Sequence, residues 1–183
     1  MKRLTTSVVL VLWVAVAAVS AHDPRTTAKT FSHAIEIEGA GQLQLSYKGM
    51  HFNETAYQRF LTDNKLRERV NAGVWNNLGK AEVGFDVVLG DQPVSKGGYT
   101  FGLNLEEKEG FTVLLKSAEK TLKVPLRIST GNPDVPYLTF SIYPTDKTDI
   151  FTLEGRCGKY RGITEIKVPY LAEHAHPAAD KKQ

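Results

Sequence analysis

Several groups of side chains in this chain have the types and spacing to do chemistry. In KGMHFNETAY, His51 and Glu54 lie close enough to serve as an acid and a base, the pairing a hydrolase needs. The same residues also suit a helix start, with Asn53 as N-cap and Glu54 against the positive end of the helix dipole. In EGRCGKYRG, Arg156, Lys159, Tyr160 and Arg161 form a basic loop with one aromatic, suited to an acidic sugar or a phosphate, and it reads also as a solvated turn needing no ligand at all. If a leader is cut after Ala21, His22 becomes the first residue, and its free amine and imidazole would chelate copper, with His51 or His33 completing a square arrangement. His174 and His176 supply only two ligands on a tail, too few for a closed metal site. Glu82 with Asp86, and Glu36 with Glu38, are paired carboxylates for a cation or for glycoside cleavage, and equally the solvated face of a strand.

Cys157 is the only cysteine, so no disulfide can form within the chain. It shares alternation with Phe151 and Leu153, which places it on an apolar face as a structural thiol rather than a nucleophile. No GxSxG, HExxH, paired CxxC, Walker A or GxGxxG pattern occurs.

The N-terminus orders these candidates by compartment. Lys2 and Arg3 precede an uncharged apolar run from Val8 to Val19 and the small residues Val19-Ser20-Ala21. The run is shorter than the roughly 20 residues a bilayer span requires, so residues 1–21 read as a signal peptide. The expectation is a periplasmic or secreted protein with no transmembrane segment in its mature chain. Of 23 basic residues, Lys2 and Arg3 leave with the leader, giving 21 against 20 acidic. So even a balance argues against a nucleic-acid partner, whose phosphates demand many unpaired Lys and Arg.

Stepping along the mature chain, residues 22–34 are polar and read as an extended leader into the domain. From Ile35 the apolar period is two: Ile35 and Ile37, then Leu43, Leu45 and Tyr47, with Gly39-Ala40-Gly41 between. A helical insertion is predicted over 53–78. Asn53 caps its first segment, Phe52 and Tyr57 form a hydrophobic staple, and Tyr57, Phe60 and Leu61 make a stripe. Asp63 caps the second segment, Leu66, Val70 and Val74 repeat the stripe, and Gly79 is the predicted stop. The strands AEVGFDVVL, YTFGLNL, FTVLLK, TLKVPLRIS, YLTFSIY, IFTLEGRC and ITEIKVPY follow, and 173–183 is a polar tail.

Together these predict one mainly β domain over 35–172, an antiparallel β-sandwich or flattened barrel of about eight or nine strands with a short helical insertion after the first hairpin. Gly97 and Gly98 are expected to take positive φ in a turn that feeds Tyr99 into the core. The segment with Trp75 and Val94-Ser95-Lys96-Gly97-Gly98-Tyr99 resembles, over residues 70–145, an exported bacterial family catalogued as domain of unknown function 2911. The resemblance implies an exported β-rich fold. That family often follows its Trp with Arg and Gly-Ala-Asn-Glu, where this chain has Asn76 to Glu82 at altered spacing, so no site residue carries across.

The functional expectation is a noncatalytic binding module without a cofactor, recognising a protein or a glycan. The alternatives are a copper protein using His22 with His51, and a hydrolase built near His51 and Glu54.

Overall fold

A computed structural model describes residues 29–108, 110–131 and 133–174. His22, the cleavage position and His176 lie outside the described residues. The domain is mainly β, with two antiparallel six-stranded sheets and a short helical insertion after the first hairpin. The first sheet contains β1 (Lys29–Ile37), β2 (Gly41–Gly49), β3 (Gly79–Val83), β6 (Gly97–Leu105), β7 (Phe111–Lys116) and β8 (Thr121–Pro125), in that spatial order. The second runs β10 (Val135–Pro144), β11 (Ile150–Gly158), β12 (Tyr160–Lys167), β4 (Val87–Leu89) and β5 (Gln92–Val94), with β9 (Arg127–Ser129) also pairing with β12. The strand β1 begins at Lys29, ahead of the alternation at Ile35, because its register with β2 continues from Ile37↔Gly41 to Lys29↔Gly49.

Among the described residues twelve strands replace the expected eight or nine, chiefly because two apparent strands cross between the sheets. AEVGFDVVL breaks at Gly84, where β3 leaves the first sheet and β4 joins the second. Alternation hides the break: Val83, Phe85, Val87 and Leu89 all face the common core. TLKVPLRIS divides after Pro125, which has no N–H to continue a ladder; Leu126 donates instead to the Phe111 carbonyl at 2.8 Å, and β9 pairs across the sandwich. QPV adds β5.

Helix α1 (Glu54–Thr62) starts at Asn53, whose Oδ1 accepts from the Ala56 amide at 2.9 Å. Helix α2 (Asn64–Gly73) starts at Asp63, whose Oδ1 accepts from Leu66 at 3.0 Å. Both predicted caps form, and Phe52 meets Tyr57 with ring centroids 5.7 Å apart. A 3-10 turn over Trp75–Asn77 ends the insertion. Gly79 is not a helix stop but the first residue of β3, where a Cβ would stand 2.0 Å from the Ser46 carbonyl oxygen. The α2 stripe differs from expectation too: Leu66 and Val70 are half-buried and Val74 is 52% exposed, while the residue α2 buries is Asn71. Its amide donates to the Leu105 carbonyl at 3.0 Å and accepts from the Leu105 amide at 2.9 Å, extending the β6 ladder beyond the end of β3. A further helix, α3 (Pro169–His174), follows β12. Among the described residues no helix is long and apolar enough to cross a membrane.

One edge of the sandwich is stitched shut. The Tyr47 hydroxyl accepts from the Phe140 amide at 2.5 Å and donates to its carbonyl at 3.1 Å. His33 Nε2 lies 2.7 Å from the Ile142 carbonyl, and Leu138 donates to the Met50 carbonyl at 2.8 Å. These bonds occupy outer backbone groups of β10 that would otherwise line a free edge.

Of the two glycines expected at positive φ, only Gly97 takes it. Gly97 has φ of +152°, whereas Gly98 is ordinary strand paired with Glu82. A Cβ on Gly98 would meet only the end of the Glu82 side chain, at 3.2 Å. Tyr99 does enter the core, and its hydroxyl donates to the Ser95 carbonyl at 2.8 Å.

Candidate functional site

The basic segment Arg156 to Arg161 is the tip of the β11–β12 hairpin, and the pleat divides it. Arg156 and Arg161 are register partners on the outer face, while Cys157 and Tyr160 face inward and are buried. Glu154, with its side chain only 14% exposed, neutralises the outer pair: Arg161 Nε donates to its Oε2 at 2.7 Å, and Arg156 Nε lies 3.8 Å from its Oε1. Arg161 also donates to the Tyr143 hydroxyl at 3.0 Å, and these hydrogen bonds raise its pKa further. The hairpin therefore does not gather four groups around one acidic ligand. Its outer cations hold a carboxylate of their own chain.

The other half of the hairpin belongs to the helical end. Lys159 Nζ lies 3.5 Å from Glu54 Oε1, and the Tyr160 hydroxyl donates to the same oxygen at 3.1 Å. Gln58 donates to it at 2.9 Å. Burial raises the Glu54 pKa, but the bonds from Gln58 and Tyr160 and the charge of Lys159 outweigh it, and the carboxyl is held below its usual value. Glu54 is thus a latch between α1 and the hairpin. His51 faces elsewhere, edge-on to Tyr137 with centroids 5.4 Å apart and bridged to it through the backbone. The two members of the proposed acid and base pair have separate partners. Glu82 and Asp86 are likewise separated: Glu82 lies on the first sheet, and Asp86 accepts from the Lys96 amide in the crossing segment.

Between α1 and the end of the sandwich is a cavity of about 170 Å³. Its residues come from four separated segments, which is why no local pattern in the sequence announces it. The β2-to-α1 connection gives Met50, His51, Phe52 and Asn53. From α1 come Ala56, Tyr57 and Phe60, and from the 3-10 turn Trp75. Leu138 of β10 and Cys157 of β11 complete it. Exposed His51 and Asn53 mark its mouth; buried Tyr57, Leu138 and Cys157 mark its depth.

An aromatic cluster surrounds the cavity. Tyr57 stacks on Phe111 at 5.6 Å and meets Tyr160 edge-on at 4.9 Å, while Trp75 lies over Phe111 at 6.5 Å. Phe52 packs on Gly158, where a Cβ would stand 2.3 Å from its ring and where φ is +53°, so this turn requires glycine on both counts. Burial, aided by the Glu54 charge, pushes the Cys157 thiol up to about 12. It stays protonated, a wall of the cavity rather than a nucleophile. Of the sequence-predicted residues, His51 joins Cys157 here, and Lys159 and Tyr160 reach the latch beside it. Among the described residues no group of three or more His, Cys, Asp or Glu is placed to hold a metal. His33, offered as a copper ligand, is bound to Ile142. No family model, curated protein or solved structure matches the chain.

Proposed function

We propose that this protein is an exported, noncatalytic binding module, and that recognition takes place at the helix-capped end of the sandwich. The observation that carries this reading is the cavity beneath α1, walled by Phe52, Tyr57, Phe60 and Trp75 and open at a polar mouth. Binding sites are typically concave, mainly apolar and fitted with a few polar groups that orient the ligand. Lys159 is already spent on Glu54, and Arg156 and Arg161 on Glu154, so the chemistry left at this end is shape, aromatic surface and hydrogen bonding. Export rests on Lys2, Arg3, the apolar run and the small residues before Ala21.

Two measurements test the reading. A fragment screen read by amide chemical shifts is expected to move Phe52, Ala56, Trp75 and Cys157 together; shifts confined to the sheet faces would place recognition elsewhere. Intact mass of the envelope-fraction protein is expected to show loss of residues 1–21, and full-length protein confined to the cytosol would refute export.

A further inference from the structure

We infer that the occupant of this cavity is an uncharged molecule built on one six-membered aromatic ring, with a hydrogen-bond acceptor on its rim, of the size and chemistry of a simple phenol. The inference rests on the binding reading above and assigns its ligand class. Size comes first. An apolar cavity of about 150 Å³ takes benzene, so about 170 Å³ holds one ring and a small substituent but not two fused rings.

Charge decides the next property. None of the ten lining residues is Asp, Glu, Lys or Arg, and Glu54, their sequence neighbour, is occupied by Gln58, Tyr160 and Lys159. An ionised ligand would lose its hydration at the buried end, where no lining side chain offers a counter-charge, since His51 stands at the exposed mouth. Four aromatic side chains favour a flat ring, since ring pairs prefer tilted and offset contacts over those of a puckered aliphatic ring.

The mouth supplies orientation. Asn53 spends its carbonyl oxygen on the Ala56 amide as the helix cap, so what it has left for a ligand is the amide N–H₂, a donor. The matching ligand group is an acceptor oxygen. This separates the cap, which glycine also tolerates, from recognition, which needs a side-chain donor.

The test uses the full chain carrying Trp13→Phe, which leaves Trp75 as the sole indole and places the fluorescent reporter in the cavity wall. Phenol, toluene, cyclohexanol and benzoate are titrated. Phenol is expected to saturate with Kd on the order of 1 mM, within reach of so few atoms. Toluene should bind roughly tenfold more weakly for want of the acceptor, cyclohexanol more weakly than phenol, and benzoate not at all. Asn53→Gly leaves a residue that an N-cap tolerates while removing the side-chain donor, and should abolish the preference for phenol over toluene. Ala56→Leu fills the cavity and should abolish binding with the circular dichroism unchanged; Ala56→Met serves if the leucine variant does not fold. No saturation by phenol, equal binding in the filled variant, an undiminished phenol preference in Asn53→Gly, or benzoate or cyclohexanol binding as tightly as phenol would each overturn the assignment. If the fragment screen still moves Phe52, Ala56, Trp75 and Cys157, only the ligand class falls. If it moves none of them, the binding reading falls as well.

Discussion

Replacing Asn71 tests how the helical insertion is held to the sandwich. Asn71 is 7% exposed and Leu105, whose backbone it pairs, is 1% exposed. Asn71→Ala removes both hydrogen bonds and leaves a buried N–H and a buried C=O without partners, each costing about 1 to 3 kcal/mol. Alanine's better helix propensity returns roughly half a kcal/mol. The net expectation is a loss of about 1.5 to 5.5 kcal/mol, seen as a lower urea midpoint at unchanged slope. In a domain of this size that corresponds to roughly 3 to 20 °C in Tm.

Asn71→Asp sharpens the test, because its carboxylate still accepts from the Leu105 amide but opposes the Leu105 carbonyl. That repulsion raises the new carboxyl's folded pKa above its unfolded value. The penalty is then full at neutral pH and shrinks as pH falls through the folded pKa toward the unfolded one, where a protonated oxygen can donate to the carbonyl. An alanine variant within about 0.5 kcal/mol of the parent, the range of ordinary surface changes, would refute the pairing, as would an aspartate variant whose deficit ignores pH.

The Glu54 latch predicts an acid-dependent contribution. Its carboxyl is held below its usual value, so the stabilisation is present above the unfolded pKa and fades as pH falls through the folded one; parent and Glu54→Gln should differ at pH 7 and converge in acid. With the side chain 43% exposed, solvent screening keeps the neutral-pH difference below about 1 kcal/mol, and a constant difference down to pH 2 would contradict the latch. Gly97→Ala should cost roughly 1 kcal/mol or more through strain at its positive φ, while Gly98→Ala should fall within about 0.5 kcal/mol of the parent; the reverse order of denaturant midpoints would restore the turn to Gly98. Iodoacetamide at pH 8 should label Cys157 promptly only in denaturant, and prompt labelling of the native protein would contradict a thiol held protonated by burial.

What the sequence disclosed follows from the range of each interaction. Asn53 and Asp63 were legible as caps because a cap bonds an amide three residues away. Cys157 was legible as buried because strand parity is local. The same parity, carried through the hairpin, separates outward Arg156 and Arg161 from inward Cys157 and Tyr160, so the division of the basic loop was available to read. The crossings at Gly84 and Pro125 were not, since a residue facing the core from one sheet and the next facing it from the other give an unbroken alternation. Asn71 carried a misleading signal: asparagine inside a helix lowers helix propensity, and its reward lies 34 residues away.

The cavity was illegible for a related reason, and the same bonds explain its position. Phe52 donates to the Pro136 carbonyl at 2.8 Å, and Met50 accepts from Leu138, so the connection into α1 continues as a backbone partner of β10. This closes the exposed edge and also fixes where α1 begins. From that start, Tyr57 is carried onto Phe111 and Tyr160, while the Glu54 latch holds the first turn against the hairpin. Ala56, the small residue between these contacts, leaves the space that larger neighbours surround. A single stitched edge thus does two things: it protects β10 from pairing with another chain, and it suspends a helix over the end of the core at a height set by aromatic rings rather than by close helix-to-sheet packing.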